Sequence, residues 1–337
     1  MAFGKVARRT VVADVAALLD SPEIASLIAE LDALRWTGRK GYGARTMIGA
    51  GLIKAFYALP TWTMAAALIA EHPGLQDAIG GCPSVWAMYR FATKLRANRP
   101  ALSACLDACA ASLRREHADF GRDVAIDASD IPAWSNGHRN VSANGPERER
   151  ISDPDASWGH RSAVGSRGSG GYFGFKIHLA CCTATGLPMA WRVETGKRHE
   201  SLFVATLLDA VRERGFQPET CAMDRGYDAV RIYRECEDRG VEPVIPLKGA
   251  KPNQPALPLT TGGRLFPRIA RHTDRFRALY RRRVAVESEF GLLKRDYAFA
   301  QIRVRGLERV RLHADLTILA QVSLALHRSR EPVALAA

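Results

Sequence analysis

The chain has 337 residues, of which 47% are hydrophobic and 25% charged, with a formal net charge of +13. That composition excludes a disordered or collagen-like chain and allows one large or two ordinary globular domains. So large a positive excess points to a polyanionic partner, because each Lys or Arg set against a phosphate releases condensed counterions; ordinary solubility charge is the alternative. The seven cysteines form no Cys-x-x-Cys pair, which argues against zinc-ribbon and thioredoxin-like sites. Their odd number, with no secretory signal, points to the reducing cytoplasm.

Up to about Arg115 the chain reads as helical almost throughout. Ser21-Pro22 starts a helix to about Leu34, a basic turn spans Arg35 to Lys40, and helices follow near 44–59, 61–71, 84–95 and 100–116. Gly51 to Ala70 is apolar enough to suggest a membrane span, but Lys54, Pro60, Thr61 and Thr63 interrupt it. Pro60-Thr61 is a helix end followed by a new N-cap, so two buried helices are expected and no membrane partner. No helix stripe here is basic enough to be named a recognition helix. Cys105 and Cys109 fit two small buried hydrophobes four apart.

After Gly121 the texture changes. Asp123 to Asp127 (DVAID) is a short β-branched strand, and 134–171 is a long loop rich in Gly, Ser, Asn and Arg. Phe173 to Cys182 and Leu187 to Glu194 alternate around Thr185-Gly186, which predicts a hairpin. A helix at 201–214, a strand at 219–223, a helix at 228–239, a strand at 241–247 and one long helix from Arg275 to about Tyr297 complete the order. This order predicts a mixed sheet with helices on its faces, preceded by an all-helical domain.

Two acids stand at predicted strand ends, Asp127 closing DVAID and Asp224 following Met223; ligands of α/β sheets collect there. Asp123 and Asp130 are rivals of Asp127, and Asp228 reads as the cap of the next helix. On the long helix, at about 100° per residue, Tyr280, Arg283 and Lys294 project near Glu287, while Leu279, Val286, Phe290 and Leu293 form an adjacent core stripe. Glu289 points away from Glu287 and is expected in solvent. Arg283 and Glu287 are also an ordinary i, i+4 ion pair, and spacing alone leaves both readings open. From Arg264 to Arg311 there are 14 Lys or Arg and 5 Asp or Glu, so 14 − 5 = +9 lies on and around this helix. His178 and His199 share no metal-ligand spacing. Trp158 reads as a packed loop aromatic, and Lys176 and Lys248 as candidate phosphate contacts.

The spacing Tyr280-x2-Arg283-x3-Glu287-x6-Lys294 resembles the YREK signature of bacterial insertion-sequence transposases of the DDE superfamily. DVAIDAS resembles that family's first catalytic strand, AMDRGYDA its second carboxylate motif, and GYFGFKIHL the strand between them. The segment RVRGLERVRLHADLTILA looks like its closing element, and PSVWAMYRFATKL is a looser match to a family helix. The resemblance implies an RNase H-like catalytic core at 119–300, with the long loop at 135–171. A helical domain at 1–118 would then bind DNA ends, and a C-terminal helix at 301–337 would pack on the core or serve a dimer.

The same resemblance implies Asp127, Asp224 and Glu287 as catalytic ligands of two Mg²⁺ or Mn²⁺ ions, with Tyr280, Arg283 and Lys294 on DNA. The implied partners are the element's terminal inverted repeats and target DNA, held by a homodimer. Only about 249–274 fills the gap where some relatives carry a large β insertion, so features that depend on that insertion do not carry over. A nuclease that cuts without joining, and a catalytically silent DNA-binding descendant, are the competing expectations.

Overall fold

The structure, a computed structural model, describes residues 10–34, 41–135, 137, 152–161, 169–248 and 262–330. The basic turn at Arg35–Lys40, most of the Arg-rich loop before 171 and the start of the 249–274 segment lie outside the described residues. The chain divides into two compact units, one drawn from Met1–Glu116, Leu293–Val304 and Glu308–Ala337, the other from His117–Leu292 and Arg305–Leu307.

The first unit is helical: α1 (Val11–Leu19), α2 (Pro22–Ala33), α3 (Ala44–Phe56), α4 (Trp62–Glu71), α5 (Pro73–Ile79), α6 (Val85–Ala97), α7 (Arg99–Glu116) and most of a C-terminal helix, Leu307–Arg330. The apolar stretch after Gly51 divides as the sequence predicts. The Thr61 hydroxyl accepts the Met64 N–H at 3.1 Å and starts α4 afresh, and no helix among the described residues is long and apolar enough to cross a membrane. α3 and the C-terminal helix are buried on nearly every side, as helices at the centre of a bundle are. α1 and α5 were not anticipated; at nine and seven residues they are too short for periodicity to declare them.

One cation lies in this apolar interior. Lys54 on α3 is 5% exposed. Its Nζ is 3.0 Å from Nδ1 of His313 on the C-terminal helix and 5.6 Å from the centre of the Trp62 ring. Burial lowers Lys54 from 10.5 to about 7. Burial, then the lysine's charge, holds His313 well below its ordinary range.

The second unit is built on β1 (Asp123–Pro132), β2 (Ser157–Arg161), β3 (Gly170–Cys182), β4 (Pro188–Thr195), β5 (Thr220–Ala222) and β6 (Glu242–Val244). The sheet runs β2-β3-β1-β5-β6, and β4 pairs with β3 along Phe175–Cys181. β1, β5 and β6 are parallel; β1, β3 and β4 are antiparallel, as are β2 and β3. Gly174 permits the close approach of β1 and β3, since a Cβ there would stand 2.2 Å from the Ile131 carbonyl oxygen. β1 is longer than DVAID predicts because β3 pairs with it as far as Pro132. β2 is a strand inside what reads as loop; its Trp158 packs on Phe173, ring centres 5.8 Å apart.

α8 (Val204–Glu213) follows a 3₁₀ turn, Glu200–Phe203, which replaces the first turn expected of a helix from Ser201; His199 rather than Ser201 accepts the capping N–H. α9 (Val230–Glu237), α10 (Gly262–Leu265), α11 (Asp274–Arg281) and the part of α12 (Val284–Asp296) up to Leu292 complete the unit. Alternate residues of β3 show helices on both faces. His178 packs on Phe203 with ring centres 4.2 Å apart, whereas the charge of Glu289 on α12 bears on Cys181. A mixed sheet flanked by helices, beside a helical region, is consistent with an RNase H-like fold.

Two expectations need correction here. Asp228 does not cap α9. It is buried and accepts two hydrogen bonds from Arg264, at 2.9 and 2.6 Å, one from the Tyr233 hydroxyl and one from the Lys248 backbone. Glu289 is 4% exposed. Measured from the stripe of Val286, Phe290 and Leu293, rather than from Glu287, it lies only about 65° from the stripe's centre, inside the buried arc.

Two stability tests follow. Between pH 7 and 10.5 the unfolded chain binds the Lys54 proton and the folded chain does not, so stability rises with pH across that window. Below pH 7 both states are charged and the folded chain bears the whole burial penalty, on the order of 5 kcal/mol. Lys54→Met should therefore raise the denaturation midpoint at pH 7 and flatten its pH profile. Arg264→Leu leaves the buried Asp228 carboxylate without its cation and should lower unfolding stability by about 3–5 kcal/mol, read by chemical denaturation.

Candidate active site

The parallel register of β1 on β5 pairs Asp123 with Thr220, Val124 with Cys221 and Ala125 with Ala222. Continued by two residues, this register would bring Asp224 level with Asp127, and the charge of Asp224 does bear on Asp127. β5 ends at Ala222, and Asp224 turns the chain into the 3₁₀ turn Arg225–Tyr227, its Oδ1 accepting the Gly226 N–H at 2.7 Å. Asp127 is thus not the end of its own strand. It stands just beyond the end of its parallel neighbour, where the β1 edge is no longer covered.

Glu287 reaches the same neighbourhood through Arg283. One guanidinium nitrogen donates to Asp127 Oδ2 at 3.1 Å, and the other donates to Glu287 Oε1. The i, i+4 pair seen in the sequence is therefore real, and it also ties the helix to β1. The long helix expected from Arg275 to Tyr297 is broken between Arg281 and Val284, where Arg283 and Val286 make tight i→i−3 bonds to Tyr280 and Arg283. No Gly or Pro signals this break. Its correlate is tertiary: Arg282 donates to Asp123 at 2.8 Å while Arg283 reaches Asp127, so two successive arginines engage two acids on one face of β1. Tyr280, on α11, stacks on Phe276 with ring centres 6.1 Å apart, and Arg283 lies 5.8 Å from its ring. Lys294 stands half-buried in the last turn of α12.

Negative charge accumulates here. Burial chiefly, then the charges of Asp224 and Glu200, push Asp127 up to about 7, against the Ala128 N–H and Arg283, which act to lower it. Arg283 is raised: burial opposes this, but the charges of Glu287 and Asp127 outweigh it. Glu200 and Tyr227 were not foreseen. Glu200 opens the turn before α8 and pairs with Lys176 Nζ at 3.0 Å. Burial raises its carboxyl, but Lys176 outweighs that and leaves it below its ordinary value.

The Tyr227 hydroxyl is buried without a hydrogen-bond partner among the described residues. Burial foremost, then the charges of Asp127, Glu200 and Asp224, hold it well above its ordinary range. Its place three residues after Asp224, in MDRGYD, was the available signal. Glu200 had none, because it follows β4 rather than a motif.

The remaining acids have other partners. Asp123 accepts from the Thr220 hydroxyl at 2.6 Å and from Arg282, and Asp130 lies 3.6 Å from Arg161. Burial foremost brings His178 down to about 3, against its aromatic neighbour Phe203.

Among the described residues no three His, Cys, Asp or Glu side chains are gathered into a ready-made metal cluster. The guanidinium of Arg283 lies between Asp127 and Glu287 instead. The chemistry of the donors nevertheless suits Mg²⁺ or Mn²⁺: the groups are carboxylate oxygens, hard ligands in an acidic setting that a cation would relieve.

No curated protein matches the chain closely enough to count as a relative. A family model described as the transposase DDE domain matches residues 119–322, which is more than half of the chain and contains Asp127, Asp224 and Glu287. The chain belongs to the transposase DDE domain family and is a transposase-type nuclease, of a kind that acts on DNA and generally uses divalent metals.

Proposed function

We propose that the protein cleaves the ends of a mobile DNA element and joins them to target DNA, with Asp127, Asp224 and Glu287 holding two Mg²⁺ or Mn²⁺ ions. The observation that carries the reading is the double engagement of Arg283 by Asp127 and Glu287, beside an Asp224 whose charge bears on Asp127. Bound ions of this kind lower the pKa of an attacking water or 3′-hydroxyl and neutralise the leaving oxygen. The rest is positioning, which is what phosphoryl transfer asks of a protein. Were its two carboxylates engaged by a cation, Arg283 would be available to a phosphate. Lys294 neutralises a flanking phosphate, and Tyr280, braced by Phe276, stacks near the scissile nucleotide. The helical domain at 1–118 grips the terminal repeats, and a homodimer holds two ends together.

The test uses duplexes carrying the DNA that flanks the reading frame. Cleavage should require Mg²⁺ or Mn²⁺. It should be abolished in Asp224→Asn and Glu287→Gln, whose DNA affinity stays level or rises slightly as a negative charge leaves a basic surface. Arg283→Ala and Lys294→Ala should bind more weakly, with a salt dependence shallower by about one log–log unit per lost phosphate contact. Normal cleavage by Glu287→Gln, or in excess chelator, would overturn the assignment. Cut ends that never join a target would leave a nuclease without transfer activity.

A further inference from the structure

We infer that the outer face of α6 is the DNA-reading surface of the helical unit and enters the major groove of duplex DNA. This rests on the transposase reading above and names the element that meets the substrate. α6 has two complete faces. Met88, Phe91, Ala92 and Leu95, at i, i+3, i+4 and i+7, are buried and carry the packing. Trp86, Tyr89, Arg90 and Thr93, at the same intervals, are exposed. Trp86 is 74% exposed and Tyr89 43%. Two large aromatics on one outward stripe of a thirteen-residue helix are an unfavourable arrangement in water, which points to a partner.

Charge selects the partner. From Ala78 to Leu106 the sequence has no Asp or Glu, while it has Arg90, Lys94, Arg96 and Arg99. Some of these cations serve the fold: Lys94 donates to the Leu31 carbonyl at 2.8 Å, and Arg99 to Asp315 at 3.0 Å. Arg90 has no hydrogen bond or ion pair among the described residues. Arg96 donates to Thr93; burial and then the charge of Arg309 lower its pKa, against Glu308, which raises it.

A second copy of this chain fits the face poorly, because a two-fold contact would set Arg90 near its own counterpart and bury unpaired charge. Duplex DNA fits it well. The helix is about 20 Å long and narrow enough for the groove. Trp86, Tyr89 and Arg90 lie in its first two turns, the part of a groove-bound helix that meets base edges. Arg90 would take a guanine edge or a phosphate, and Trp86 thymine methyl groups or sugars.

The experiment uses the full chain and two probes: a pool of random-sequence duplexes, and the duplexes the wild-type protein selects from that pool. Arg90→Ala should lower affinity for the selected duplexes about tenfold, with Arg90→Lys recovering part of it. The Trp86→Ala/Tyr89→Ala double variant should lose discrimination between selected and random duplexes, with its melting temperature little changed because neither side chain is in the core. Selected-duplex affinity equal to wild type in both variants would overturn the inference. So would unchanged affinity combined with loss of a dimer in sedimentation, which would assign the face to a second copy. Asp224→Asn separates the two readings: should it still cut, the active-site assignment fails while the binding comparison on α6 stands.

Discussion

Asp127 is a half-buried carboxylate at a point where the sheet topology brings other negative charge close, and the second unit is arranged around neutralising it. Parallel pairing of β1 and β5 leads the chain to Asp224, whose charge bears on Asp127, and the turn before α8 adds Glu200. Burial first, then the like charges of Asp224 and Glu200, push Asp127 up to about 7. Arg283 answers Asp127 and Lys176 answers Glu200. Because Arg283 also binds Glu287, the answer to a local electrostatic problem brings the third acid of the proposed site to the sheet.

The same requirement accounts for a backbone feature. Arg282 and Arg283 are adjacent, yet their partners Asp123 and Asp127 are four apart on one face of a strand, about 13 Å of extended chain. Neighbouring residues on a regular helix diverge by about 100°, so a continuous helix presents two such guanidiniums in different directions. The tight turn between α11 and α12 is where both reach β1. Tyr280 consequently belongs to a different helical segment from Glu287, and the angular relation computed along one uninterrupted helix does not hold between them.

What the sequence made legible was whatever is local or periodic. The hairpin of β3 and β4, the Thr61 cap, the order of strands and helices and the separate helical region all follow from turn residues, caps and spacing. What it did not reveal depends on partners distant in the chain. β1 extends to Pro132 only because β3 lies alongside. Asp228 looks like a cap until Arg264 is folded against it. Glu289 was referred to the wrong axis, and its burial follows from the core stripe of its own helix. Glu200 acquires meaning only through its proximity to Asp127, which no spacing rule encodes, whereas Tyr227 stands three residues after Asp224 in the sequence.

The basic segment shows how far net charge can be read as a DNA footprint. Its excess of +9 suggests many phosphate contacts, but several of its arginines are already committed. Arg264 is bound to Asp228, Arg271 to the Ile245 and Arg264 carbonyls, Arg277 to Asp274, Arg282 to Asp123 and Arg295 to Asp296. A guanidinium so paired is not free to neutralise a DNA phosphate and release its counterions, and turning it to DNA means first breaking an internal contact. The cations of this segment that could meet DNA without that cost are those such as Arg275 and Arg281, exposed on α11 without ion pairs among the described residues. Arg283 is the exception that matters, because its two partners are themselves the proposed metal ligands. A cation held by those carboxylates would weaken their claim on the guanidinium. On that reading the +9 of the segment overstates the static grip, and the part of it carried by Arg283 would depend on the carboxylates of β1 and α12.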